Sequence, residues 1–365
     1  MSVARIMLTI LAALLALSNF GRAETAAVRP VPIVYCTDLL HPHSDPDDHF
    51  DLAMLFAMRE FEVKAIMLDR GEAQKKRTGR IPLEQMFYLT GREVPYATGL
   101  SKKLERPDDK GLEQPKNDQA AVELLLATLR QSPEPMILFL TGSARDTCAA
   151  FNRNPDLFRQ KVSRLYLNMG SLRRQRTEWN VRLDPQAYIG LMQSGLPIYW
   201  CPCQPMKQNR TTHWTFDHKE VLEGINPKLL NFFIYALQRC SPDELDPMKA
   251  ITMDLRPWRH LVMAMTRHMW CVSPLFHAAG RSIYQVGDQW VATVSAPQGS
   301  SKADIFTFVP VRTTTKEIEG KVVTEWTEET SNPNMHVYKV TDTKNHEPAL
   351  KSCLRDLLHH FPMAQ

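Results

Sequence analysis

The chain has 365 residues, of which 44% are hydrophobic and 23% are charged, as is usual for a globular protein. Its formal net charge of +4 at pH 7 is too small to indicate a nucleic-acid polymer as a partner, because such proteins usually present a strongly basic face. No stretch after residue 23 approaches the roughly 20 apolar residues of a spanning helix. We therefore expect a soluble mature protein with no membrane association.

The N-terminus has the pattern of a secretory signal. Met1–Arg5 carries one positive side chain, Ile6–Leu17 is almost purely apolar, and Gly21-Arg22-Ala23 places small residues at the two positions that a signal peptidase recognises. We expect residues 1-23 to be a signal peptide and the protein to be exported to the periplasm or the extracellular space. A short membrane anchor is the alternative, but the apolar run is short for spanning a bilayer.

Short apolar runs alternate with helical patterns through the first two thirds of the chain. The predicted strands are Pro32–Cys36, Val63–Leu68, Met136–Leu140, Ser163–Asn168 and Pro197–Trp200, and the predicted helices are Phe50–Arg59, Asp118–Gln131, Ala144–Asn152 and Pro185–Ser194. This alternation predicts an α/β fold with an open, mainly parallel twisted sheet and helices on both faces.

The character of the sequence changes after Gly280. Four further strands are predicted there, followed by an amphipathic helix: Gln289–Val294, Ile305–Val311, Val322–Thr327, Tyr338–Thr341 and then Pro348–Phe361. We interpret residues 280-341 as a β-rich extension of one domain that covers residues 24-365.

An acidic turn, Thr37–Asp51, joins the first predicted strand to the first predicted helix. Ligands of open parallel sheets bind beyond the carboxyl ends of the strands, so a site is expected at this turn. The turn contains five aspartates that repel one another: Asp38, Asp45, Asp47, Asp48 and Asp51. A helix N-terminus offsets such repulsion by only about 0.3–1 kcal/mol per charge. Calcium, which takes six to eight oxygen ligands, would offset far more.

Two alternatives for this turn are open. It could be a capped helix start whose acidic side chains are solvated. It could also bind zinc, because His41, His43 and His49 lie within it. The larger number of oxygen ligands favours calcium.

The turn and several later segments resemble nucleoside hydrolases of the inosine–uridine-preferring type. That family opens with a strand and a turn of the form D-x-D-P-G-x-D-D, to which Asp38, Asp47, Asp48 and the following Leu52–Leu55 are similar, with a longer loop. Three further stretches are similar to family motifs in the same order: Leu138–Asp146, Asn154–Leu157 with Leu165–Gly170, and Glu178–Ala187 (similar to E-F-N-I-x-x-D-P-E-A-A). The resemblance implies a nucleoside-hydrolase-like, Rossmann-like fold.

The resemblance also implies roles for individual residues. Asp38 and Asp48 would ligate calcium together with the carbonyl oxygen of Thr141, and Asp45 and Asp47 would complete the cluster. Either Asp38 or Asp47 would accept a proton from a metal-activated water that attacks the anomeric carbon of a ribosyl group. Substrate contacts would come from Asp47 and from two later residues, Glu178 and Asn180, whose side chains would bind ribose hydroxyls.

The sequence departs from the family pattern late in the chain. The family carries an H-D-P segment whose Asp is a calcium ligand and whose His helps the leaving base depart. The best counterpart is Val272-Ser273-Pro274, so neither residue is in place. Ser273 could offer an oxygen, and His277 or His268 could approach from elsewhere. The asparagine expected after the second strand is also absent, and Asp69 stands there.

A basic segment precedes Glu178. Arg173 and Arg174 are predicted either to belong to a solvated loop or to clamp an anionic substrate group.

Three functions compete. The first is calcium-dependent hydrolysis of the N-glycosidic bond of ribonucleosides or related ribosides. The second is a binding or catalytically altered relative that keeps the metal and sugar contacts without turnover. The third, a phosphatase with Asp38 as nucleophile, is disfavoured because Leu40 stands where a D-x-D motif needs its second Asp. The predicted partner is a small riboside, and a homo-oligomer is left open.

Overall fold

A computed structural model describes residues 29–173, 177–204, 211–237, 246–331 and 334–364. The predicted signal peptide and Arg174 lie outside these ranges, so both remain predictions. Among the helices of the described ranges, none combines the length and the apolar character needed to cross a bilayer.

The residues from Val31 onward are built around one nine-stranded sheet. Its strands, in chain order, are β1 (Val31–Thr37), β2 (Phe61–Leu68), β3 (Tyr96–Thr98), β4 (Met136–Leu140), β5 (Val162–Leu167), β6 (Ile198–Trp200), β12 (Phe306–Ile318), β13 (Lys321–Glu328) and β14 (Met335–Val340). The intervening strands β7 (Trp214–Asp217) and β8 (Thr266–Met269) pair with each other, and β9 (Ser282–Val286), β10 (Gln289–Thr293) and β11 (Ser301–Lys302) form a third small sheet.

The order of strands in the large sheet is β13-β12-β14-β6-β5-β4-β1-β2-β3. Every neighbouring pair from β14 to β3 is parallel, whereas β12 and β13 are added antiparallel at one edge. Much of the predicted β-rich extension therefore continues the main sheet.

The helices fill the connections between strands. They are α1 (Asp47–Ala57), α2 (Gly71–Gln74), α3 (Arg80–Thr90), α4 (Ala120–Gln131), α5 (Arg145–Arg153), α6 (Pro155–Lys161), α7 (Trp179–Leu183), α8 (Pro185–Met192), α9 (His218–Leu222), α10 (Pro227–Ala236), α11 (Pro247–Thr252), α12 (Arg256–Met263), α13 (Val272–Ala278) and α14 (His346–His359), with a short 3₁₀ turn at Lys116–Asp118.

The central strand β1 shows why the sheet is covered on both faces. Its side chains alternate in direction, so Ile33 and Tyr35 join one hydrophobic cluster while Val34 and Cys36 join the other. Helix α1 packs in the first cluster and helices α4 and α5 in the second. The predicted α/β class, with a mainly parallel sheet between two helical layers, is confirmed.

Candidate functional site

The largest concentration of acidic side chains lies in a pocket of about 510 Å³ at the carboxyl edge of the sheet. Asp38 follows β1, Thr141 follows β4 and Asn168 follows β5, so three adjacent parallel strands deliver their next residues to one place. The pocket is also lined by residues of α1 and α7 and of the segment before α13: Asp47, Asp48, Asp51, Glu178, Trp179, Asn180, Trp270 and Cys271.

Two threonine hydroxyls hold the Asp48 carboxylate. The Thr37 hydroxyl donates to its Oδ1 at 2.7 Å, and the Thr141 hydroxyl donates to the same oxygen at 2.9 Å. Because Thr37 ends β1 and Thr141 follows β4, both adjoining strands position Asp48.

The aspartates raise one another's proton affinity. Burial raises the pKa of Asp38 and of Asp47 well above the usual value for aspartate, and repulsion from Asp48 adds to both shifts. Burial followed by repulsion from Asp48 likewise raises the pKa of Asp51. Full ionisation of this group therefore requires a compensating positive charge.

Asn180 and Glu178, which the sequence predicted as sugar contacts, both line the pocket. The Asn180 side-chain amide donates to the carbonyl oxygen of Thr141 at 2.8 Å and to that of Asn168 at 3.2 Å. It thereby ties the loops that follow β4 and β5 to the start of α7.

Glu178 is the N-terminal cap of α7. Its carboxylate accepts from the backbone N–H groups of Asn180 and Val181, as expected for an acidic residue before a helix, and also from that of Gly170 at 3.0 Å. Gly170 holds φ at 98°, and a Cβ there would lie 2.7 Å from the Tyr188 hydroxyl, so this contact requires glycine.

The donor set of the pocket fits calcium. Its candidate ligands are oxygens, and two buried ones that line it, Asp51 Oδ1 and Asn168 Oδ1, have no hydrogen-bond partner within the described ranges. Buried acceptors are normally paired, so these two are available to a cation. Among the described residues, however, no group of three or more His, Cys, Asp or Glu side chains lies together in an arrangement that could hold a metal ion.

Two arginines compensate part of the acidic charge. Arg70 lies 3.4 Å from Asp38 Oδ2, and Arg267 forms an ion pair with Asp45. Asp45, predicted as a metal ligand, is thus engaged by Arg267 with its side chain half exposed at the rim of the pocket. Its role as a ligand remains a prediction.

Three suggested contributors lie outside this pocket, although the exposure of Arg173 agrees with the solvated loop that was one of its two alternatives. His277 lies in a separate cavity with Tyr199, and its ring bonds to the Tyr166 hydroxyl at 2.7 Å. Arg173 is exposed and lines another groove beside Leu172. Ser273 is fully buried and donates to the Tyr338 hydroxyl at 2.9 Å. The physical reason is that α13 turns these side chains inward, away from the pocket, or, for Arg173, that the loop points outward.

Near Val272-Ser273-Pro274, the counterpart of the family's H-D-P segment, the residues that line the pocket are Trp270 and Cys271 and not a His–Asp pair. The Trp270 indole N–H donates to the carbonyl oxygen of Cys203 at 3.2 Å, and the Cys271 thiol lies within hydrogen-bonding reach of Asp51. His43 is the histidine among the lining residues, and burial together with nearby arginines lowers its pKa to about 4, so it is a neutral imidazole.

Sequence reasoning missed the lining residues Arg70, Arg77 and Trp179, and it placed Asp51 and His43 in the acidic turn without assigning either an individual role in the calcium site. For Asp51 a signal existed, because it lies one helical turn after Asp47 and Asp48 on the same face of α1. Trp179 stands between the two predicted sugar contacts, Glu178 and Asn180. Arg70 follows Asp69, the residue that stands where the family has an asparagine after the second strand.

Solved structures of nucleoside hydrolases share this fold. The plant nucleoside hydrolase PpNRh1 aligns with a TM-score of 0.53 over 90% of this chain and 99% of its own, at 16% identity. The purine-preferring ribonucleoside hydrolase from Gardnerella vaginalis aligns with a TM-score of 0.53 over the same shares, at 15% identity. The pocket and the sheet order thus belong to a chain with the nucleoside hydrolase fold.

The sequence comparison identifies the family. A profile described as "Inosine-uridine preferring nucleoside hydrolase" matches residues 42–347, and the chain belongs to this family. The pyrimidine-specific ribonucleoside hydrolase RihA of Citrobacter koseri is 29% identical over 188 residues, and RihA of Enterobacter sp. is 30% identical over 188 residues. Each match covers 46% of this chain and 58% of the relative, so the chain spans less than two thirds of these relatives.

Proposed function

We propose that the protein is a calcium-dependent hydrolase of the N-glycosidic bond of ribonucleosides or related ribosides. The observation that carries the proposal is the convergence of Asp38, Asp47 and Asp48 with Thr141 and Asn180 in one pocket of a nucleoside hydrolase family member. The names of the relatives differ in the base they prefer, so the proposal leaves the base open.

The metal would be held by oxygens alone. Asp38 and Asp48 are the proposed carboxylate ligands, and the Thr141 carbonyl keeps one lone pair free beside its bond from Asn180. The unpaired Oδ1 atoms of Asp51 and Asn168 are further candidates. Calcium in this position would lower the pKa of a water molecule and orient it.

The proton would be taken by Asp47. Burial and repulsion from the neighbouring carboxylates raise its pKa well above the usual value for aspartate, which makes it a stronger proton acceptor once ionised. Cleavage of a glycosidic bond develops positive charge on the sugar ring, and the carboxylates of the pocket stabilise such charge. Asn180 would bind a ribose hydroxyl. Glu178, the other proposed sugar contact, already accepts three backbone hydrogen bonds.

The direct test is incubation of the purified protein with a panel of purine and pyrimidine nucleosides in 1 mM calcium chloride, with chromatography of free base and ribose. We expect base release that stops on addition of EDTA and in Asp47→Asn. Asp288→Asn, at an exposed turn, serves as the matched control. Absence of free base between mildly acidic and mildly alkaline pH contradicts the hydrolase assignment.

The second candidate is a nucleoside- or sugar-binding relative that retains the metal without turnover. It is favoured by one observation, that Trp270 and Cys271 and a neutral His43 line the pocket where the family supplies an acid for the leaving base. It predicts that ribosides raise the thermal midpoint only when calcium is present and remain intact. Release of free base in the same samples excludes it.

A further inference from the structure

A second groove adjoins the acidic pocket and carries the opposite charge. It has a volume of about 440 Å³ and shares Arg70 and Arg77 with the pocket as common lining residues. Its remaining cationic lining residues are Lys76, Lys103, Arg145 and Arg182, against a single carboxylate, Glu72. An acidic and a basic compartment therefore meet at Arg70 and Arg77.

Part of this positive charge is already used within the protein. Arg145 is buried and binds Asp184 at 2.9 Å, so it serves as a structural wall of the groove. Glu72 pairs with Lys75 at 2.8 Å, and so it does not neutralise the arginines. Arg77 and Arg182, in contrast, have no carboxylate partner among the described residues, which leaves two guanidinium groups for a ligand.

The groove also holds an unused hydrogen-bond donor. The Ser101 hydroxyl is buried and has no partner within the described part of the chain. Serine hydroxyls, like guanidinium groups, donate to phosphate oxygens. The same groove is thus lined by an unpaired hydroxyl and by two arginines without a carboxylate partner, a set of donors that suits an anion.

Helix α7 connects the two compartments. Asn180 lines the acidic pocket and Arg182 lines the basic groove, two residues apart, and Trp179 lies between Arg182 and Arg70. The guanidinium of Arg182 lies 5.0 Å from the centre of the Trp179 ring and that of Arg70 lies 6.0 Å from it. These contacts hold both arginines against the Trp179 ring; Arg182 has no carboxylate partner among the described residues, whereas Arg70 also contacts Asp38.

We propose that the basic groove binds the phosphate group of a phosphorylated riboside whose sugar occupies the acidic pocket. The inference rests on the proposed function, because it takes the sugar to lie near Asn180. The exocyclic 5-hydroxyl of ribose projects from the ring, so a phosphate ester at that atom can cross from Asn180 to Arg182 and Arg77. The substrate class is then a nucleotide or another ribosyl 5-phosphate.

Ligands without a glycosidic bond test this without turnover. Isothermal titration calorimetry of the full chain in 1 mM calcium chloride compares ribose 5-phosphate, ribose and inorganic phosphate at low salt. We expect ribose 5-phosphate to bind at least roughly tenfold more tightly than ribose, as one or two charge-assisted contacts give. In the double variant Arg77→Ala/Arg182→Ala this ratio falls towards one, and in Arg159→Ala, an exposed arginine elsewhere, it is retained.

The outcomes separate the groove from the pocket. Ribose binding without any advantage for ribose 5-phosphate overturns the groove and leaves the proposed function intact. An advantage that persists in the double variant also overturns it. Inorganic phosphate that binds as tightly as ribose 5-phosphate and is not displaced by it means a phosphate site unrelated to the substrate, which again overturns the inference. Failure of both ribose and ribose 5-phosphate to bind counts against the proposed function itself.

Discussion

Replacing Asp38 with asparagine should stabilise the metal-free protein and abolish its response to calcium. Asp38 and Asp48 lie close enough to share a hydrogen bond, and the Asp38 side chain is only 12% exposed. When both are ionised, two unit charges about 4 Å apart repel by roughly 4 kcal/mol at the effective dielectric of a partly buried site, and uptake of a proton relieves part of this repulsion. Arg70, 3.4 Å away, offsets part of this, so we expect a net gain of about 1–2 kcal/mol.

Calcium should reverse the order of the two proteins. At a hundred times its dissociation constant it would stabilise the wild type by roughly 2.7 kcal/mol, which is about 5 °C in thermal midpoint for a domain of this size. Asp38→Asn lacks one carboxylate ligand, so its midpoint should move little on adding calcium. The wild type is then the less stable protein in EDTA and the more stable one in calcium.

Differential scanning fluorimetry in EDTA and in 1 mM calcium chloride measures the thermal midpoints of both proteins, and thus tests both predicted differences. Asp288→Asn, which removes an exposed carboxylate from a turn, should behave as the wild type in both buffers. A uniform loss of stability in Asp38→Asn, with the calcium response intact, would show that Asp38 is a packing residue and refute the reasoning.

Three further predictions concern individual side chains. Asp184→Ala should cost about 3–5 kcal/mol, measured by urea unfolding, because it removes the carboxylate that binds the buried Arg145 directly; an unchanged midpoint would contradict this. Cys271→Asp adds a carboxylate beside Asp51 and should raise calcium affinity by calorimetry, with equal or weaker binding as the contrary result. Burial lowers the pKa of His346 to about 4, whereas the pKa of an unfolded histidine is near 6.5. The free energy of unfolding that this neutral histidine contributes is therefore complete above about pH 6.5 and is lost as the pH drops towards 4, by about 2 kcal/mol at pH 5. His346→Gln should lack this part of the decline.

The central parallel strands could be predicted because each contains a short run of buried apolar residues, such as Ile33–Cys36 in β1 and Met136–Leu140 in β4. Helix α3 was missed because Pro82 lies in its first turn, where proline is tolerated although it suggests a break. The three-residue β3 is too short to show any period. Strand β12 exceeds its prediction because its second half, Thr313–Ile318, pairs with β13 through polar threonines and carries little hydrophobic signal.

The carboxylates of the site were predictable from sequence and its rim was not. Asp38, Asp47 and Asp48 all belong to the acidic turn Thr37–Asp51, so their closeness in sequence brings them together. Arg70, Trp270 and Arg267 reach the pocket from segments 30 to 230 residues away, and only the order of strands decides which of them meet. The late segment illustrates this, since Ser273 matched the family position while Cys271, two residues earlier, faces the pocket.

Arg70 links these observations. It holds φ at 61°, a left-handed conformation that is uncommon outside glycine, asparagine and aspartate. At this position its side chain lies between Asp38 and the Trp179 ring, on the boundary of the two compartments. A cation that binds Asp38 would compete with Arg70 for that carboxylate. The Arg70 guanidinium would then be available to a ligand in the basic groove. The same residue that offsets the acidic charge of the metal-free pocket is thus placed to receive an anionic group once the pocket is filled.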